Sequence, residues 1–440
     1  MQFAEQFLYH IWDAQHLGEN LHTVSGKPLQ IMFQGMWNTD SGPDFKNAII
    51  KIGNDVFRGD IEVHLRSYDW ISHKHNENKN YNEVILHAVF HHSGSSEFTI
   101  SENGKKIEII QLKNYLDKSV SKLLVQYKNK KFKEKDKHCE FFGGLSSPAT
   151  ELIFAKFGKE RLEKKIKRFA AELFFTDFDQ LLYQGVLEAL GYSKNKFQML
   201  QLALHFPVSQ LKEFRQNGMN KEELISILLC GTDLINLLPK SFPMALKLKW
   251  QEIYARQKFS RKTVELDWNL FRIRPQNHPA VRILQIADFL WSGLESSLFN
   301  NILKIFSFPQ DRFDFEKFRI NLYRLFQMPS EELGEKYKLG KTRIDVIFIN
   351  IILPLIVLYA RKMSFAQLEK IALEIYSRYH GLSENFIVSR MSVFMDKTQK
   401  RILRKKAVYQ QGILKLYYEF CQYHDCENCL NNKSEILKKM

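Results

Sequence analysis

At 440 residues, 45% of them hydrophobic, the chain is long enough for two or three domains with real cores. Five cysteines in that length exclude a disulfide scaffold. The net charge of +15 is unevenly spread: residues 1–112 hold 9 Lys/Arg against 14 Asp/Glu, and the remainder holds 55 against 35.

In chain order, Phe3, Phe7, Leu8, Ile11 and Trp12 form one stripe of an amphipathic helix over residues 2–17. Strands are predicted at Leu29–Gln34, 44–52 and 56–65, the last two joined around Gly53-Asn54-Asp55. Residues 67–80, rich in His and Asn, read as a short helix or a loop. Val84–His91 alternates as a further strand, and Phe98–Ile100 pairs with Lys106–Leu112 around Glu102-Asn103-Gly104. Lys118–Lys137 is a lysine-dense helix or linker, and Gly143-Gly144 followed by Ser146-Ser147-Pro148 breaks into the next region. From Glu151 the periodicity is helical to the C-terminus.

The reading is therefore α+β. Residues 1–115 form a sheet domain of order αβββ(α)β, 116–150 a basic linker or helix, and 151–440 a basic helical region ending in cysteines. An acidic sheet domain beside a basic helical region suits a metal site next to a polyanion-binding surface, unless the basic charge serves solubility alone. Met1-Gln2-Phe3-Ala4-Glu5 lacks the features of a signal peptide. The apolar run Val346–Ala360 is short and carries Asn350 and Pro354, which predicts a buried, kinked helix and no membrane span. These features predict a soluble, cytoplasmic protein. A nucleotide-binding Gly-rich loop, a Gly-x-Ser-x-Gly elbow and a His-Glu-x-x-His helix are all lacking, which leaves ATPase, serine hydrolase and metalloprotease readings without support.

Chemistry concentrates first between Gly42-Pro43-Asp44-Phe45 and Gly59-Asp60-Ile61-Glu62-Val63-His64. Glu62 and His64, two apart on a strand, share a face. A three-residue loop would set Ile52 against Val56, Asp44 against His64 and Lys46 against Glu62, gathering all four polar residues on one face. A two-residue loop would turn Asp44 away from Glu62.

Three further groups stand out. His64, His73, His75, His87 and His91-His92 are candidate transition-metal ligands, or sheet-edge histidines. Cys421-x4-Cys426-x2-Cys429 suits zinc or an iron–sulfur cluster, with His424 or Cys139 as the fourth ligand; the alternative is cysteines packed as small apolar residues. In Arg272-Ile273-Arg274-Pro275-Gln276-Asn277-His278-Pro279-Ala280-Val281-Arg282, the residues Arg274, Asn277 and Arg282 near a helix start are candidate nucleic-acid contacts, or parts of a structural turn.

The strand order, with Pro43-Asp44 and Glu62-Val63-His64, resembles the PD-(D/E)xK nuclease superfamily. That resemblance implies Asp44 and Glu62 as ligands of Mg²⁺ or Mn²⁺, His64 where the family has lysine, Lys46 as a substitute charge, and Glu5 or Glu19 as an added acid. It implies metal-dependent phosphodiester hydrolysis of nucleic acid. The alternatives are a non-catalytic nucleic-acid-binding scaffold that kept the fold, and a transition-metal enzyme using the histidines. Phe7-Leu8-Tyr9-His10-Ile11-Trp12, Ser41–Phe45 with Gly59–His64, and Arg274–Pro279 together also resemble an uncharacterised bacterial family that brings no activity with it.

Overall fold

The computed structural model describes residues 3–38, 41–128, 139–192, 194–240, 242–259, 263–306, 314–327, 338–423 and 425–438. Helix α1 (Gln6–Ala14) precedes strands β1 (Leu21–His22), β2 (Pro28–Phe33), β3 (Met36–Trp37), β4 (Phe45–Ile52) and β5 (Asp55–Arg66). Helix α2 (Asp69–Ser72) and two 3-10 turns, His75–Glu77 and Lys79–Tyr81, lead into β6 (Val84–His91), β7 (Phe98–Ile100) and β8 (Lys106–Gln111). These strands form one mixed sheet of order β1-β2-β4-β5-β6-β8-β7, with β3 also pairing with β4. The pairs β5–β6 and β6–β8 are parallel and the others antiparallel. The short strands β1 and β3 go beyond the sequence expectation, because two residues carry no readable alternation.

Alternation decides the two faces of the sheet. Ile61 and Val63 of β5 and Leu86 and Ala88 of β6 bury against Phe7, Leu8, Ile11 and Trp12 of α1. At about 25 cal/mol per Å², each of these large side chains contributes roughly 1.5–3 kcal/mol on burial. The alternate residues, Glu62, His64 and His87, are also buried. They sit where Trp70, Tyr81, Val84 and Ile107 form a second, small apolar cluster.

The hairpin register differs from the sequence expectation in two places. The turn is Gly53-Asn54, with Ile52 opposite Asp55, so the loop has two residues and not three. Further along, Ala48 faces Gly59 but Phe45 faces Ile61, because β4 carries an extra residue. This β-bulge centres on Asn47, whose φ of 53° lies in the left-handed region that Asn tolerates better than most residues. Asp60 holds it, accepting from Asn47 N at 3.0 Å and from Lys46 Nζ at 2.8 Å. Each change of one residue swaps the faces, so the bulge cancels the shorter turn and returns Asp44 to the side of Glu62. Lys46 is thereby committed to Asp60 and not to Glu62, and Asp44 lies against Glu62 and Val63 rather than opposite His64. Gly59 is also required for space, since a Cβ there would lie 2.4 Å from Glu83 O.

The described part of the predicted linker is not free. Helix α3 (Val120–Lys128) buries Leu123 and Leu124 in the sheet's core; residues 129–137 of that prediction lie outside the described residues. The helical region opens with α4 (Ser147–Glu172), capped by Ser146 and with proline in its first turn. It packs on helix Ala407–Glu419 where Gly158 and Gly412 meet; a Cβ on either would fall 2.1 or 2.2 Å from the other helix's carbonyl oxygen.

The apolar run lies in a helix spanning Lys341–Lys362, with 78% of its most apolar window buried inside the bundle. It is a core helix, interrupted by a π-helical turn at Phe348–Ile352 just before Pro354. There Asn350 Nδ2 donates to Val346 O at 2.7 Å while its Oδ1 accepts from Lys165.

Candidate metal centre

Two buried carboxylates meet at the bulged end of the hairpin. Asp44 N donates to Glu62 Oε2 at 3.1 Å, and Val63 N donates to Asp44 Oδ2 at 2.9 Å. Among the described residues, neither carboxylate is paired with a lysine or arginine. Burial pushes Asp44 up to about 8, with Glu62 beside it adding to the shift. Burial likewise pushes Glu62 up to about 8. Glu5, at the start of α1, is also raised by burial, and it interacts with both carboxylates and with His73. Of the two predicted helper acids, Glu5 therefore reaches the site, and Glu19 lies exposed in the turn before β1. Tyr9, one helical turn after Glu5, hydrogen-bonds toward Asp44 and has its hydroxyl pushed up by burial.

The histidines complete the site. Glu62 Oε1 lies 3.3 Å from His64 Nε2 and 3.2 Å from His75 Nε2, while His73 Nδ1 lies 3.2 Å from His64 Nε2. Around a cation bound at about 2.0–2.1 Å by nitrogen and oxygen, tetrahedral ligand edges are roughly 3.3 Å. The ligand atoms of His64, His73 and His75 all fall within 4.8 Å of one another. Burial holds His64 at about 2 and His75 at about 4, so both are neutral imidazoles with a lone pair to offer. His75 also stacks on Tyr81, ring centroids 3.8 Å apart, which fixes its plane.

An outer layer fixes the tautomer of His64. Its Nδ1 lies 2.9 Å from His87 Nε2, and His87 Nδ1 lies 2.8 Å from Thr99 Oγ1. If His64 offers its Nε2 lone pair, its Nδ1–H donates to His87 Nε2, and His87 Nδ1–H donates to Thr99. Such second-layer hydrogen bonds orient and strengthen metal-binding imidazoles. His87 is held neutral, at about 3, chiefly by burial.

Sequence reasoning named Asp44, Glu62 and His64, and the structure brings them together; Lys46 joins only through Asp60. His73 and His75 were legible as a histidine group but not as neighbours of Glu62, because the turns between β5 and β6 place them. Asp60 and Thr99 were missed, and no spacing signal marks either.

The other predicted residues lie elsewhere. Arg274 is exposed, whereas Arg282 is buried and donates to Asn277, Tyr192 and Gln285. His278 caps the following helix, Nδ1 accepting from Ala280 N at 3.3 Å. This loop is thus tied internally, while Arg282, Asn277 and Arg343, stacked 3.5 Å over Tyr192, line a pocket of about 310 Å³. Cys421, Cys426 and Cys429 gather beside Cys139 at the C-terminus, and His424 lies outside the described residues.

A cleft of about 930 Å³ separates the end of α1 and β2 from α4. Arg161, Lys164, Lys165 and Lys167 of α4 line it. Arg161 Nε and Lys165 Nζ both donate to Gln411 Oε1 at 3.0 Å rather than to an acid, and burial beside Arg161 and Arg168 holds Lys165 well below the usual lysine range. Since α1 rises about 1.5 Å per residue, its two ends set this cleft roughly 14 Å from the carboxylate–histidine site.

This arrangement defines an α+β protein with a buried cluster of carboxylates and imidazoles on a mixed sheet. Residues 5–385 match the family described as "Protein of unknown function (DUF2851)", and the chain belongs to that family. No curated protein and no solved structure matches it significantly.

Proposed function

We propose that the sheet domain is a metal-dependent phosphodiesterase acting on nucleic acid, with a PD-(D/E)xK-like site in which Asp44, Glu62 and His64 hold a divalent cation. The observation that carries this reading is the Asp44–Glu62 pair. Two carboxylates are buried together without a basic partner, and neutral imidazoles crowd the same spot. Such a set is stable as anions only around a cation. Mixed oxygen and nitrogen donors suit Mn²⁺ or a similar transition ion better than Mg²⁺. A cation there would supply a bound water of lowered pKa and polarise a phosphate oxygen. Glu5 and His73 stand beside it as candidate proton acceptors, and the basic cleft along α4 offers a path for the polyanion.

The test is cleavage of single- and double-stranded DNA and RNA with Mn²⁺ or Mg²⁺, comparing the wild type with Asp44→Ala and Glu62→Ala. Manganese-dependent cleavage lost in both variants is expected. Binding without cleavage by the wild type would leave a non-catalytic scaffold, and neither binding nor cleavage would remove nucleic acid as the partner.

A second reading rests on the close grouping of His64, His73 and His75: a tightly held transition metal serving another substrate. Metal retained through dialysis, lost in His75→Ala but kept in Asp44→Ala, would favour it.

A further inference from the structure

Four of the five cysteines are collected from two distant parts of the chain. Cys421 opens a 3-10 turn after helix Ala407–Glu419, and Cys426 and Cys429 occupy one face of helix Cys426–Leu437, three residues apart. Cys139 starts a turn in which Phe142 N donates to Cys139 O and Gly143 N to Glu140 O. Lys433, on the same helix as Cys426 and Cys429, clamps that turn by donating to Glu140 O at 3.1 Å and Gly143 O at 2.9 Å. The four thiols are close enough to feel one another electrostatically in every pairing. None is in a disulfide.

We propose that Cys139, Cys421, Cys426 and Cys429 form a four-thiolate metal centre that fastens the C-terminal helix to the turn leading into α4. Packing as small apolar side chains does not account for the arrangement. The Cys139 sulfur accepts backbone N–H bonds from Phe141 and Phe142, donors that an apolar side chain would not engage and that stabilise a thiolate ligand. Cys230 supplies the contrast: it stands apart from the four, its sulfur near Trp250 O. Partial exposure of Cys426 leaves an entry path beside the buried Cys429.

The size of the shell selects the metal. A single zinc at about 2.3 Å requires sulfurs roughly 3.8 Å apart. Among the described residues, the one group of three or more ligand atoms within 4.8 Å is His64, His73 and His75, so the thiols stand wider than a zinc shell. That spacing calls for an iron–sulfur cluster, in which each cysteine binds a different iron or shares a pair of irons. The centre is independent of the carboxylate–histidine site and lies beyond residue 385, where the family match ends, except for Cys139.

The experiment is elemental and sulfide analysis of the full chain purified without oxygen, with its visible absorption, for wild type, Cys426→Ser and Cys230→Ser. Expected are iron and acid-labile sulfide in equal amounts, about two to four per chain, with a charge-transfer band. Cys426→Ser should lose at least fivefold of both, and Cys230→Ser should keep them. One zinc per chain without iron would overturn the cluster, and a wild type free of both metals would overturn the centre. Equal loss in Cys230→Ser would overturn the ligand assignment. Because the wild type's own metal content is decisive, misfolding of Cys426→Ser leaves the test intact.

Discussion

Replacing Asp44 by asparagine should stabilise the metal-free protein while abolishing its metal response. The folded-state value of Asp44 is about 8 against an ordinary 3.8. A carboxyl raised in this way stays protonated in the folded chain after the unfolded chain has ionised. Stability therefore falls as pH rises from about 4 to about 8, by up to about 1.4 kcal/mol per pH unit for one group. Integrated to pH 7, the shift of roughly four units is worth about 4 kcal/mol at most. Asparagine keeps the shape and cannot ionise, so Asp44→Asn removes this penalty, and Val63 N can still donate to its side-chain oxygen. Urea unfolding in chelator at pH 5, 6, 7 and 8 should show the variant gaining on wild type at each step. Added Mn²⁺ should then raise the midpoint of wild type and leave the variant unmoved. A variant that is less stable than wild type at pH 8 in chelator, with no trend across the series, would refute the reasoning.

Other perturbations test the supporting structure. Asn47→Val should cost about 1–2 kcal/mol in urea unfolding, because its φ of 53° is hostile to a β-branched residue, whereas Asn47→Gly should be nearly neutral. Thr99→Val, which removes the last hydrogen bond of the His64–His87 chain, should weaken metal affinity about 10–100-fold by calorimetry. Burial alone would raise Glu188, but Arg168 and Lys196 outweigh it and hold it at about 2. Its contribution, about 3 kcal/mol, is present above pH 4.5 and lost as pH falls toward 2, so acid unfolding of Glu188→Gln should lack that part of the transition.

The period-2 alternation of Val84–His91 and the stripe of α1 made the sheet domain readable, since one face of each is apolar. The Asp44–Glu62 meeting was also readable, though through a register that the chain does not use. A three-residue loop and a two-residue turn followed by a one-residue bulge lead to the same face. Nothing in Lys46-Asn47-Ala48 announces the bulge; it needs Asp60 opposite to hold it, and that contact exists only once the strands pair. The approach of His73 and His75 to Glu62 was hidden for a related reason. Their positions depend on 3-10 turns stacked on Trp70 and Tyr81, not on strand periodicity. The Arg274–Arg282 loop misled because proline and arginine look alike in an anion site and in a tied turn.

The π-helical turn at Phe348–Ile352 has a consequence for how this chain can vary in length. A π turn amounts to one residue more than an α-helix needs over the same span, so removing any one of these five residues would let the segment relax to a regular helix. Everything after it would then rotate by about 100° and retract by about 1.5 Å relative to Lys341–Ile347. Pro354 and the buried face through Ala360 would leave their sockets, and Asn350 would no longer meet Lys165 in the floor of the basic cleft. Substitutions along this helix should be tolerated according to volume, but a single-codon deletion should unfold the bundle as surely as a charge placed in its middle.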